Sequence, residues 1–159
     1  MATSYPLPDG PKILDLLGLL FDGLDVRPGS AFDQSPAAGA WFGVFVADGG
    51  EPVALCGADA SLAASFGAAL SMLPPTAAKE AAKARELTAA MIDNVREIMN
   101  ICTRLMMDAT SPHLRLEQIY PVKSLPAAAS ALLGAPKGRR EFQVQLTKYG
   151  GGVLAFVVA

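Results

Sequence analysis

The sequence predicts an α+β fold, a mainly antiparallel sheet packed against long helices, and three observations carry that reading. Apolar residues recur at helical spacing over 13–24, 62–73 and 91–106. Two pairs of β-rich runs, 41–47 with 51–57 and 142–146 with 153–157, are each joined by a Gly-containing segment that suits a hairpin. The strand–helix–strand alternation that a parallel sheet requires is missing from the order of the segments.

In chain order, Pro11 suits a first helical position, because its fixed φ is already helical and its missing N–H is not needed there. Ile13, Leu14, Leu16, Leu17, Leu20, Phe21 and Leu24 then form one broad apolar face, closed by Gly23 or by Arg27-Pro28-Gly29. Residues 30–40 are small and polar, a loop. Trp41–Ala47 and Glu51–Gly57 read as strands around Asp48-Gly49-Gly50. Asp59 can cap a helix whose buried face is Leu62, Ala63, Phe66, Ala69, Leu70 and Leu73, and Pro74-Pro75 ends it. Thr76 is the expected cap of the longest helix, Ala77 to Asp108, whose interior holds neither Gly nor Pro. Leu114, Leu116, Ile119 and Val122 follow as a strand, then an Ala-rich helix from near Ser124-Leu125-Pro126. Two final strands flank Tyr149 to Gly152, where the glycine cluster reads as a turn. Residues 1–11, with Pro6, Pro8 and Pro11, are expected to be a loosely held tail, and 12–159 a single domain.

Composition narrows the function classes. With 159 residues, 52% of them hydrophobic, the chain is long enough for one domain with a sizeable core. Thirteen Lys and Arg against fifteen Asp and Glu give a net charge of −2, which leaves no cation excess for nucleic acid or an anionic membrane surface. No stretch reaches the roughly 18 consecutive apolar residues of a spanning helix, so a soluble cytoplasmic protein is expected. Cys56 and Cys102 stand far apart without other ligands at metal spacing, so neither a disulfide nor a metal site is expected. The chain carries no nucleophile elbow, phosphate loop or dinucleotide fingerprint, and its one histidine, His113, falls in a turn after Pro112.

The informative segment is the long helix. At about 100° per residue, Met91, Val95, Ile98, Met99, Cys102, Leu105 and Met106 fall on one side as core. Glu86, Asp93, Glu97, Asn100 and Arg104 fall opposite, within a stripe about 60° wide. A solvated face accounts for such a stripe, but Asp93, Glu97 and Asn100 also line up at spacings of four and three and can touch one partner surface together.

Asp93-x-x-x-Glu97-x-x-Asn100, followed by Pro121, resembles the D/S-x-x-x-E-x-x-N and later proline of the CheC, CheX and FliY phosphatases of bacterial chemotaxis. The order of elements is similar over roughly residues 12–159. A single Glu-x-x-Asn is present where CheC-type proteins commonly carry two, which makes the pattern CheX-like. Pro121 arrives about two residues early, and Asn94 and Arg96 add polar groups beside the motif.

The resemblance implies hydrolysis of the aspartyl phosphate of a CheY-like response regulator, without a cofactor of the chain's own and with the divalent metal, Mg, supplied by the regulator. Asn100 would position the attacking water, and Glu97 would anchor the helix on a lysine of the regulator. Asp93 and Arg104 would contribute rim contacts. Neutral carboxamide chemistry suits this reaction, since an acyl phosphate asks mainly for a water held in line with the breaking bond. The charge-free run Val153–Val158 must be paired inside a sheet or covered, since a free edge of that kind invites aggregation, and a homodimer burying part of this region is expected, as the resemblance also implies. A non-catalytic regulator-binding module, or a self-associating scaffold of the same fold, stays open beside this reading.

Overall fold

The computed structural model describes residues 4–29 and 31–159; residues 1–3 of the expected tail and Ser30 of the expected loop lie outside the described residues. Six strands form one sheet: β1 (Asp25–Pro28), β2 (Trp41–Val46), β3 (Pro52–Ala58), β4 (Arg115–Pro121), β5 (Gly138–Leu146) and β6 (Gly150–Val158). Their spatial order is β1-β5-β6-β3-β2-β4 and every pairing is antiparallel. Five helices accompany them: α1 (Gly10–Leu17), α2 (Ala60–Ala69), α3 (Pro75–Ala84), α4 (Ala89–Cys102) and α5 (Ala127–Gly134). The α+β class with an antiparallel sheet is therefore observed.

The apolar run of β6 follows from burial on both faces. Leu154, Phe156 and Val158 join the core shared with α1, α2 and α4, while Val153, Ala155 and Val157 join a second core covered by α5 and Phe32. Because β6 pairs with β5 on one side and β3 on the other, it has no free edge, and the argument for a homodimer built on this strand falls away. The edges of the sheet are β1 and β4.

The expected long helix is two. α3 ends in a Schellman turn: Arg85 takes the left-handed conformation, φ 53°, and the Glu86 N–H reaches the Ala81 carbonyl at 3.1 Å. The chain restarts at Thr88, whose hydroxyl accepts from the Met91 N–H at 3.3 Å. Glu86 thus lies in the joint and leaves the stripe. α3 itself opens on Pro75, so Thr76 is inside the first turn rather than the cap. At the far end, α4 passes at Thr103 into a 3-10 turn, Thr103–Met106, so the α-helix stops short of Asp108.

Three smaller expectations also change. α1 stops at Leu17, short of the expected Leu24, and the chain returns as β1, pairing Val26 with Val144, where only the close of that helix was expected. Gly150, Gly151 and Gly152 belong to β6, opposite Leu146, Gln145 and Val144; the turn is Thr147 to Tyr149, with Lys148 left-handed at φ 74°. The segment before α1 is held rather than loose: Tyr5 is buried, and Arg140 donates to the Leu7 and Pro8 carbonyls at 3.4 and 3.2 Å.

Candidate functional site

α4 is the element that carries the site, and two glycines let it lie deep. A Cβ on Gly43 of β2 would sit 3.2 Å from the Met99 Cβ, and one on Gly67 of α2 would sit 2.8 Å from the Met91 Cβ. The helix presses Met91, Val95, Ile98, Met99 and Cys102 into the core, all 1% exposed or less. Each of the larger four contributes roughly 1.5–3 kcal/mol by leaving water. Helical periodicity then turns the remaining side chains outward.

The two polar residues beside the motif are structural braces. Asn94 donates through Nδ2 to the Gly67 carbonyl at 2.7 Å and to Ser71 Oγ at 2.8 Å, fixing α4 to the end of α2. On the opposite flank Arg96 donates to Asp93 Oδ1 at 2.7 Å and to Gln118 Oε1 of β4 at 3.2 Å. Gln118 Oε1 also accepts from the Ile119 N–H at 3.0 Å.

Between these braces Glu97 and Asn100 are exposed, one turn apart, and neither side chain makes a hydrogen bond or ion pair among the described residues. The carboxylate and the carboxamide therefore keep their full bonding capacity for a partner. Asp93 belongs to the same face, but its carboxylate is engaged by Arg96 in a solvent-exposed pair worth less than about 1 kcal/mol. Arg104 is exposed too, in the 3-10 turn beyond the helix, where it lines a shallow depression with Leu16 and Leu19. The structure thus brings Asp93, Glu97 and Asn100 together on one helix face and sets Arg104 at its end.

The cysteines lie beneath this face, free and buried. Burial, with the neighbouring Cys102 thiol as a second cause, pushes the Cys56 thiol well up, which makes it a poor nucleophile. Among the described residues no group of three His, Cys, Asp or Glu is arranged to hold a metal ion. No described helix is long and apolar enough to cross a membrane.

Sequence reasoning missed Gln118 and the pocket at the start of α4. Pro121, the last residue of β4, pairs across the sheet with Trp41, and both line a pocket of about 390 Å³ with Ile92 of α4. Two signals pointed there, Trp41 as the chain's only tryptophan and Pro121 as the later proline of the motif.

No family model matches the chain, and no curated protein sequence matches it significantly. Solved structures do. A chain of the FliM–SpeE complex from H. pylori superposes with a TM-score of 0.61 at 7% identity, over 94% of this chain and 78% of that one. FliY of Thermotoga maritima gives 0.56 at 11% identity, over 94% and 81%. The fold is that of FliM and FliY. The CheX–CheY complex of Borrelia burgdorferi matches at 0.42 and 10% identity, over 92% and 88%. The pattern was expected to be CheX-like; the likeness that shows the fold is to the FliM and FliY structures.

Proposed function

We propose that the chain is a phosphatase acting on the aspartyl phosphate of a CheY-type response regulator, with α4 as the surface it presents to the phosphorylated site. One observation carries the reading: Glu97 and Asn100, which complete the motif resemblance, are the exposed polar side chains left unengaged between two intramolecular braces. A solvated helix face would also leave them unengaged, so the motif resemblance decides between the two readings. The FliY fold supports the same reading.

The chemistry asks for little more. Asn100 Oδ1 accepts a hydrogen from the attacking water and orients its oxygen in line with the acyl P–O bond, while Nδ2 is free to donate to a phosphoryl oxygen. The water oxygen bonds to phosphorus as the bond to the aspartyl oxygen breaks. The regulator's carboxylate and inorganic phosphate are released, and the water's proton passes to phosphate or solvent. Glu97 anchors the complex by a charge-assisted hydrogen bond to a lysine of the regulator. The regulator supplies the divalent metal, Mg, that neutralises the phosphoryl charge. Asp93, held by Arg96, and Arg104 contribute contacts at the rim.

The test is the decay of a phosphorylated CheY-type protein with substoichiometric amounts of this chain. Wild type is expected to accelerate decay, Asn100→Ala to lose most of that acceleration while still binding, and Glu97→Lys to weaken binding itself. Unchanged decay against every regulator of the source organism would overturn the proposal. A second reading, a binding module without turnover, is favoured by the FliM chain having been solved in a complex with SpeE. It predicts saturable binding of the regulator with phosphate lifetime unchanged or lengthened.

A further inference from the structure

The pocket at the N-terminal end of α4 has an apolar floor made by Trp41, Leu87, Ile92, Pro121 and Val122, from four separate segments of the chain. Its volume, about 390 Å³, is enough to receive one large side chain and its neighbours. The walls are held in place rather than adventitious. Trp41 and Pro121 face each other across the β2–β4 ladder, and the Val122 N–H donates to the Ala40 carbonyl at 2.8 Å. Left-handed Arg85 turns back and donates from its guanidinium to the Ala37 carbonyl, tying the α3–α4 joint to the loop before β2.

The pocket's position follows from helix geometry. Ile92 precedes Asn100 by eight residues, which is about 12 Å along the helix. A partner of ordinary interface size covers about 800 Å² on each side, a patch roughly 30 Å across. A footprint of that size centred on Asn100 reaches the turn of α4 that carries Ile92. On the rim Arg85 is faced by the carboxylates of Glu86 and of Asp33, which the Ser35 N–H and hydroxyl, and then Arg85, hold below its ordinary value, whereas Lys123 is exposed with no ion pair among the described residues. A chain of net charge −2 thus offers one uncompensated cation, Lys123, at the edge of an aromatic floor.

We propose that this pocket is a docking site for the response regulator itself, receiving an apolar side chain next to an acidic residue that faces Lys123, with its Ile92 wall about 12 Å along α4 from Asn100. The inference rests on the phosphatase reading and deepens it. It gives the complex an anchor away from the reacting atoms, of the kind in which a buried apolar side chain supplies most of the affinity and rim charge the encounter rate. A metal-dependent phosphoryl site is itself acidic, because carboxylates hold its metal, so Lys123 on the pocket rim complements such a partner.

The experiment uses the full chain and a tryptophan-free receiver domain loaded with beryllofluoride and magnesium, so that Trp41 is the sole tryptophan reporter. On binding, Trp41 emission is expected to shift to the blue and its quenching by acrylamide to fall. Lys123→Glu, on an exposed side chain, and Val122→Asp are expected to raise Kd and KM about tenfold, the loss falling on KM rather than kcat. If Trp41 emission and quenching stay unchanged at saturating receiver while Asn100→Ala still abolishes turnover, the docking site is wrong and the phosphatase reading stands. If wild type binds no receiver domain at all, both fall.

Discussion

A methyl group at Gly152 is expected to unfasten two elements at once. A Cβ there would lie 2.8 Å from Asp59 Cγ and 2.9 Å from Oδ2, and would overlap Oδ1. β6 cannot retreat, because Gly152 is paired with Val144 in the ladder, so the Asp59 side chain must swing away. That carboxylate makes two bonds. Oδ1 accepts from the Leu62 N–H at 2.9 Å and caps α2, and Oδ2 accepts from the Val153 N–H at 3.0 Å. Losing the cap costs about 1 kcal/mol, and losing a backbone bond to a charged acceptor about 1.5–3 kcal/mol. Gly152→Ala is therefore expected to destabilise by about 2.5–4 kcal/mol. Asp59→Ala loses the same two bonds and is expected to fall in or just below that range, since it also removes a half-buried charge.

The reasoning is exposed by the double variant. Asp59→Ala deletes all three atoms nearest to the added methyl, so Gly152→Ala made in that background should cost less than about 1 kcal/mol. The coupling energy is then about 1.5 kcal/mol or more. Urea unfolding of the wild type, both single variants and the double variant at constant m-value measures it. Additive losses would refute the argument, because they would mean that the methyl acts on something other than Asp59.

Three further outcomes follow from the same coordinates. Burial raises the Asp59 carboxyl above its ordinary 3.8 despite the Leu62 and Val153 N–H groups that favour its charged form, so the folded state binds the proton first; stability should fall as pH rises from about 3.8 through the folded value, and an Asp59→Asn variant titrated by urea should lack that slope. Met72 is left-handed at φ 55° and 85% exposed, so Met72→Gly is expected to stabilise by about 0.5–1 kcal/mol in thermal unfolding, and a loss would show that the side chain packs. Val95→Asp should destabilise by several kcal/mol, whereas Glu97→Ala and Asn100→Ala should each change stability by less than about 1 kcal/mol; unfolding of either alanine variant would mean that the face assigned to the partner is a packed one.

What was legible in the sequence was what local chemistry decides. The Asp59 cap, the hairpin around Gly50 and the buried stripe of Met91, Val95, Ile98 and Cys102 depend on residues a few positions apart, and the structure holds each of them. The break between α3 and α4 was not legible, because Arg85 takes a conformation usually left to glycine, and its guanidinium is held by a carbonyl 48 positions away. The glycines of β6 misled for the same reason: Gly152 is small to admit Asp59, 93 residues earlier, not to turn the chain.

The candidate site divides along that line. Asp93, Glu97 and Asn100 could be picked out because a helical period places them in one stripe with Asn94 and Arg96 to its sides, but period does not say which side chains are engaged. The partners do: Asn94 is taken by Gly67 and Ser71, and Arg96 by Asp93 and Gln118, in contacts that no local pattern encodes. Once those four bonds are assigned, one carboxylate and one carboxamide remain on a helix fixed from both flanks. A rigid helix presenting an acceptor and a donor–acceptor pair has its backbone placed before a ligand arrives, while the two exposed side chains, bonded to nothing within the described chain, take their rotamers from the partner. Water positioning gains from the part that is fixed, since whatever the helix must rearrange on binding is subtracted from the help it can give the transition state.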